Sequence, residues 1–408
     1  MKEILLSIII FASFARNAES LIVHEWGTFT SFMGSDGVRL SGMHHEEEKL
    51  PTFVYGFHNP QAGPLLQTSL RYCGKVPCEF LESISHSLSA SDVMPKNPIG
   101  VGVTQKMETP VIYFYGKEGQ HVKVDIDFPQ GIISQYYPKA HTYSPSYDSA
   151  TTLGPSRFSF NVKLLAKNLV EDLARTSANS IWNPSRKVKS NTIESEGEKE
   201  KFIFYRGVGD FDAKIVVKNR RGALYIKNNT QSLIKSAFIL NFDGQSGVIK
   251  AIGAIGDEEK IVSIADSSTR LLFAAYVQQA KSMIEAALIK DGLFSDEARA
   301  LVNTWERSYF ATPGIRVLYV LPRSQSDEII PLCITPTPSS VVRSMVGRIE
   351  VMTTDEEEDG LKLIASLDSF NPKKMFGHFY EPKLRRLLAL AQQRNEASSV
   401  KKIKNLLP

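Results

Sequence analysis

The sequence predicts a mainly β protein with a smaller α+β part, an antiparallel sandwich-like region followed by helices and a few strands. Two observations carry that expectation. Between residues 21 and 266, short runs of β-branched and aromatic residues alternate with Gly, Asn and Asp turns. After residue 266 the apolar spacing changes to threes and fours, the period of a helix face.

Taken in order, residues 1–20 read MKEILLSIIIFASFARNAES. Lys2 gives a positive start, an apolar run follows, and Ala15, Ala18 and Ser20 surround the expected cut. That pattern reads as a cleavable export signal, with an uncleaved membrane anchor as the alternative, and its apolar run is too short to span a bilayer. No Cys lies near the cut, so no lipoprotein anchor is indicated. No later stretch is apolar for long enough to cross a membrane. The expected mature protein begins near Leu21, is soluble, and is periplasmic or secreted.

The β-rich domain is expected over 21–266. LIVHEWGTFTSF is closed by the turn GSDG, and TPVIYFYG and KVDIDFP flank the turn KEGQ. RFSFNVKLL, KFIFYRG, AKIVVKN, GALYIKN, KSAFILNF and KIVSIAD continue the pattern. NVKLLAKNLVEDLAR offers a helix as the alternative to the end of the RFSFNVKLL strand. The polar stretch 177–201 reads as a mobile loop.

The α+β region is expected over 267–408. An amphipathic helix spans 269–290, ended by Asp291-Gly292, and Ser295 caps a second helix that runs to Trp305. PGIRVLYVLP, IIPLCIT and RSMVGRIEV read as strands, and helices are expected near 355–365 and 382–395.

Length and composition set the outer limits. A chain of 408 residues, 42% hydrophobic and 23% charged, is long enough for two cores. The net charge is +4, with basic residues scattered rather than striped between aromatics, so nucleic-acid binding is not expected. GxSxG, GxxxxGK[ST] and GxGxxG motifs are missing from the sequence.

Three cysteines are present. Cys73 and Cys78, in RYCGKVPCEF, suit a small disulfide-closed loop in an oxidising compartment, with free thiols or a zinc pair as alternatives. Cys333, inside IIPLCIT, reads as a buried thiol.

The candidate chemistry centres on His and Glu. His24 and Trp26 share one face of the first strand and Glu25 faces the other way. The cluster His44, His45, Glu46, Glu47, Glu48 follows the turn region GSDGVRLSG. If that loop folds back, His24, Glu25, His44, His45 and Glu46 are candidates to hold a divalent metal such as zinc, manganese or iron. An open position on the metal would activate water. The alternative is a solvated loop beside a packed His24. Glu108, before Thr109-Pro110, reads as a general base at the mouth of a buried strand or as a surface residue at its end. Arg206 in FYRGVGDF reads as an oxyanion ligand or as the partner of Asp210 or Asp212. Tyr136, Tyr137, Tyr143 and Tyr147, near His141, suit an aromatic platform or packing against their own sheet.

VHEWGTFTSF, KMETPVIYFY, FYRGVGDF, TWERSYFATPGIRVLYVLPR and VVRSMVGRIEV together resemble a family of uncharacterised exported bacterial proteins. The resemblance touches both halves of the chain and implies no activity, substrate or cofactor. Without a catalytic motif, the expected role is binding an unidentified ligand or an envelope component. The alternative is a metal-assisted hydrolase at the His/Glu group.

Overall fold

The run IVHEWGTFTSFM forms β1 (Ile22–Met33), and every residue after Ile22 in it is buried. A half-buried edge strand would alternate, so this pattern marks a strand covered on both faces. The computed structural model describes residues 20–56, 102–145, 154–167, 169, 172–264, 270–366 and 371–407. The expected leader and the Cys73–Cys78 pair lie outside the described residues.

The further strands are β2 (Tyr55–Gly56), β3 (Gln105–Tyr115), β4 (His121–Phe128), β5 (Gly131–Tyr137), β6 (Thr142–Ser144) and β7 (Ser156–Leu164). Next come β8 (Ile193–Ser195), β9 (Glu198–Glu200), β10 (Ile203–Gly209), β11 (Ile215–Arg220), β12 (Ala223–Asn228) and β13 (Ala237–Phe242). The last are β14 (Ser246–Ala251), β15 (Lys260–Ser263), β16 (Leu271–Leu272), β17 (Gly314–Val320), β18 (Leu332–Thr335) and β19 (Ser340–Val351). The helices are α1 (Asn183–Arg186), α2 (Phe273–Asp291), α3 (Ser295–Thr304), α4 (Arg323–Ile329), α5 (Thr354–Ser366), α6 (Pro372–Phe376), α7 (Tyr380–Gln393) and α8 (Ala397–Leu406).

A ten-stranded sheet runs β16-β14-β13-β17-β19-β1-β3-β10-β5-β2. Its one parallel pair is β1 with β19, in continuous register from Ile22↔Ser340 to Met33↔Val351, and β1 pairs antiparallel with β3 on its other side. Strands β17 and β19, from the last third of the chain, thus lie between β13 and β1. A six-stranded sheet (β18-β4-β7-β8-β9, with β6 on β7) and the three-stranded β11-β12-β15 complete the mainly β, sandwich-like architecture. In β4 and β7 exposed and buried residues alternate, as expected for strands with one face toward solvent.

Helices α2 and α3 occupy the places their periodicity predicts. Helix α3 starts at Ser295, but its N-cap is Phe294, whose N–H donates to the Glu297 carboxylate at 2.8 Å. Glu297 sits at N3 and closes half a capping box. Helices α5, α7 and α8 enclose a second apolar cluster, in which Leu384, Leu387 and Ile403 meet Phe32, Leu40 and Met43. Each fully buried Leu contributes about 1.5–3 kcal/mol, so this cluster fixes the C-terminal helices over the loop that follows β1.

RFSFNVKLL forms a strand as expected, and the helical alternative from Asn161 fails over 161–164, because Phe158, Phe160 and Val162 alternate into the core while Arg157, Asn161 and Lys163 face out. Two expectations are corrected. The 177–201 stretch is not an unstructured loop: Trp182 is 2% exposed and anchors it, with its indole N–H on Glu200 at 2.9 Å. Cys333 is exposed on edge strand β18, since that strand presents Cys333 and Thr335 to solvent while Leu332 and Ile334 pack against the core.

Candidate metal centre

The site is built by a break in the β1–β3 ladder. Between Trp26/Thr28 and Val111/Glu108 the register shifts, because Thr109 and Pro110 face the single Gly27. Pro110 has no N–H to donate, and Thr109 takes φ +51°. A Cβ on Gly27 would lie 2.8 Å from Pro110 Cα, so only glycine fits there. Beyond this bulge, Glu108 and Lys106 are turned into the interior. Glu108 is therefore neither a strand-end surface residue nor solvated. It is fully buried, accepts from Thr30 (2.9 Å) and Tyr309 (3.2 Å), and pairs with Lys106 at 2.8 Å.

The loop after β1 is pinned over this interior. Gly42 and Met43 donate backbone hydrogen bonds to Val103, and each of the next four side chains finds a buried partner. His44 Nε2 and His45 Nε2 lie 3.5 and 3.0 Å from the same oxygen, Oε2 of Glu381 on α7. Glu46 pairs with Arg206 (2.5 Å) and Lys106 (3.4 Å). Glu47 pairs with Arg348 (2.9 Å) and His378 (3.2 Å). The loop is not solvated, and the partner of Arg206 is Glu46 rather than Asp210 or Asp212.

His44, His45 and Glu381 offer ligand atoms that all lie within 4.8 Å of one another. Glu381 is held from behind by Arg385, whose Nε and Nη2 donate to Oε1 at 3.0 and 2.7 Å. His45 is held by Lys106, which donates to its carbonyl oxygen at 2.7 Å, and by the Tyr380 ring 4.7 Å away. Gly42 makes room, for a Cβ there would sit 2.8 Å from Glu381 Cγ, and its φ is +97°. The Nδ1 atoms of both histidines are buried and have no hydrogen-bond partner.

The charge states follow from these contacts. Burial, and then the neighbouring His45, lower the His44 pKa to about 4, so its imidazole is neutral at pH 7. Burial works against ionisation of Glu381, but the His45 hydrogen bond and Arg385 outweigh it and lower its pKa. Glu46 is lowered in the same way, with Arg206 and Lys106 overcoming burial, and Glu47 by Arg348 and His378. Burial raises Glu48. The site therefore combines a neutral imidazole, a fixed carboxylate, and further carboxylates matched by buried cations.

The other sequence candidates lie elsewhere. His24 donates from Nδ1 to Glu297 at 2.8 Å and packs 4.4 Å from the Phe294 ring, while Glu297 also accepts from Tyr115. Glu25, on the opposite face of β1, is engaged by Tyr205 and Arg343. Neither converges on the His44–His45 pair, because in-register pairing with β19 and β3 fixes both side chains in the sheet interior. Glu46 is adjacent but faces Arg206. Glu381 escaped the sequence reading, since in YEPKLRR it reads as one half of an ordinary i,i+4 pair with Arg385. Tyr136 and Tyr137 are buried against their own sheet, with Tyr136 stacked on Tyr55, and form no exposed platform. Arg316 and Arg348 both bind Glu350, and Arg323 binds Asp327.

No protein-family model matches the chain, and no curated protein matches it. Among solved structures it is similar to the yeast delta-COP-I mu-homology domain, at 6% identity and a TM-score of 0.26, covering 82% of this chain and 97% of that one. The same domain complexed with the Dsl1 WxWxV peptide is similar at 5% identity and a TM-score of 0.24, with the same coverage. Among the described residues no helix is long and apolar enough to cross a membrane.

Proposed function

We propose that the protein is an exported bacterial binding protein, working in the periplasm or outside the cell, whose ligand is a divalent transition-metal ion held by His44, His45 and Glu381. The observation that carries this reading is the convergence of two histidine nitrogens on one carboxylate oxygen, at 3.0 and 3.5 Å. Ligands at the 2.0–2.1 Å bond length of zinc stand about 3.3 Å apart at the edges of a tetrahedron. The two histidine-to-carboxylate distances lie on either side of that value, and all three ligand atoms fall within 4.8 Å of one another. Imidazole and carboxylate suit zinc first, with manganese and iron following. Arg385 and Lys106 supply the outer contacts that orient such ligands. Export rests on the N-terminal segment and on the family resemblance.

The test is elemental analysis of the mature protein, purified without chelator or affinity tag. One zinc, manganese or iron per chain is expected, and it is lost when His44 and His45 are both changed to Ala. A metal-free protein that also ignores added zinc overturns the proposal.

A second reading, metal-assisted hydrolysis, is favoured by one feature. Three protein ligands leave a fourth position for water, the pattern of catalytic rather than structural zinc. Under this reading the metal-loaded protein hydrolyses p-nitrophenyl acetate or bis-p-nitrophenyl phosphate, and Glu381→Gln abolishes that activity. Metal binding without turnover leaves the binding role alone.

A further inference from the structure

A second site lies where the ten-stranded sheet opens. The β17–β19 ladder ends at Val320↔Val346, with one more bond from Leu321 N to Met345 O at 2.8 Å. Pro322 follows and the chain turns into α4. Pro322 cannot donate to a ladder, so among the described residues no strand pairs with Val341–Arg343 on the side away from β1. A cavity of about 400 Å³ fills this gap. Its apolar wall comes from Val320, Leu321, Val342 and Ala287, and its rim carries Lys235, Lys290 and Arg323.

The charges around the cavity are unevenly satisfied. Lys235 and Lys290 are exposed, and Lys235 lies close enough to Asp291 to offset part of the rise that burial causes in its carboxyl pKa. Arg323 is held at the rim, with Nε on Asp327 (2.7 Å) and Nη1 on the Val341 carbonyl (2.8 Å). Arg343 enters the wall through its main chain. Its guanidinium is wholly buried behind, paired with Glu25 and Asp327, and its Nη2 has no hydrogen-bond partner. Asp291 is the one carboxylate of the lining.

We propose that this cavity binds a small oxyanion-headed molecule with a short apolar body, a carboxylate or a phosphate ester. A cavity of this size suits a small ligand, which needs an apolar wall for its body and a few placed polar groups for its head. The rim cations Lys235, Lys290 and Arg323 supply those groups, and the Val320–Val342 wall takes the apolar part. The site is separate from the metal centre and stands or falls independently of it.

Calorimetric titration with octanoate, octyl phosphate and octan-1-ol tests the proposal. One molecule of octanoate or octyl phosphate is expected per chain, with the alcohol at least about tenfold weaker. Whichever anion binds more tightly identifies the head group. Lys235→Glu with Lys290→Glu, both exposed positions, is expected to weaken the anion by about tenfold or more. Thermal stability and metal content should stay unchanged, and Lys401→Glu with Lys404→Glu, equal in charge but on α8, should have little effect. Alcohol binding equal to the acids, no saturable binding of either acid, or equal weakening by both double variants would overturn it.

Discussion

At the scale of single residues, the metal proposal depends on an unusual adjacency. Two consecutive histidines face one carboxylate, and Gly42, two residues earlier, leaves the space that carboxylate occupies. A methyl group at Gly42 meets Glu381 and must also adopt a left-handed backbone, costing about 1–2 kcal/mol. Gly42→Ala is therefore expected to weaken zinc about 10–100-fold while the protein stays folded, as measured by competition with a zinc indicator. Unchanged affinity would mean that Glu381 is not a ligand. His44 makes a separate prediction for the metal-free protein. Its pKa falls from 6.5 unfolded to about 4 folded, so between those values the unfolded chain binds more protons. Stability from this group is then fully present above pH 6.5 and is lost as pH falls toward 4. The upper bound is about 3–4 kcal/mol, for a fall of roughly 2.5 pKa units at 1.36 kcal/mol per unit. Thermal melts in chelator from pH 7 to pH 4 should decline less steeply for His44→Gln than for the parent protein.

At the scale of elements, β19 carries the most consequence. It joins the two parts of the great sheet and supplies Arg343, Arg348 and Glu350 to the buried ion pairs. Arg348 also lies 4.4 Å over the Tyr309 ring. Breaking such buried pairs is costly because each leaves an uncompensated charge. Gly347 has a different role, since the Tyr319 ring of β17 crosses directly over it and a Cβ would lie 2.1 Å from Tyr319 Cζ. Gly347→Ala is expected to destabilise by roughly 1–3 kcal/mol through overpacking, with the denaturation midpoint as the readout. A midpoint within error of the parent would mean that the ring has room to move.

Most of these elements were legible in the sequence. The β1, β3 and β17 runs are apolar and β-branched enough to read directly, and the threes and fours of α2 are unambiguous. What was not legible is partnership. Nothing in VHEWGTFTSF says that its parallel neighbour lies more than 300 residues away. His44 and His45 were visible as metal-type residues. Glu381 was not, because it sits in a helix whose local pattern already accounts for it. His24 and Glu25 were chemically plausible, but their real partners, Glu297 and Arg343, come from distant elements that a spacing rule cannot connect.

At the scale of the whole molecule, the C-terminal helices complete a site whose histidines come from the loop after the first strand. The second apolar cluster holds the two ends of the chain together, so the ligands are brought to one place by the fold rather than by a local motif. The central claim is that this meeting point is a metal centre. X-ray absorption at the zinc edge of the purified, zinc-loaded protein tests it most directly. The account predicts two imidazole nitrogens and carboxylate oxygen at about 2.0–2.2 Å, with no sulfur shell. A sulfur shell near 2.3 Å, as cysteines such as Cys73 and Cys78 would give, or a spectrum lacking imidazole would contradict it.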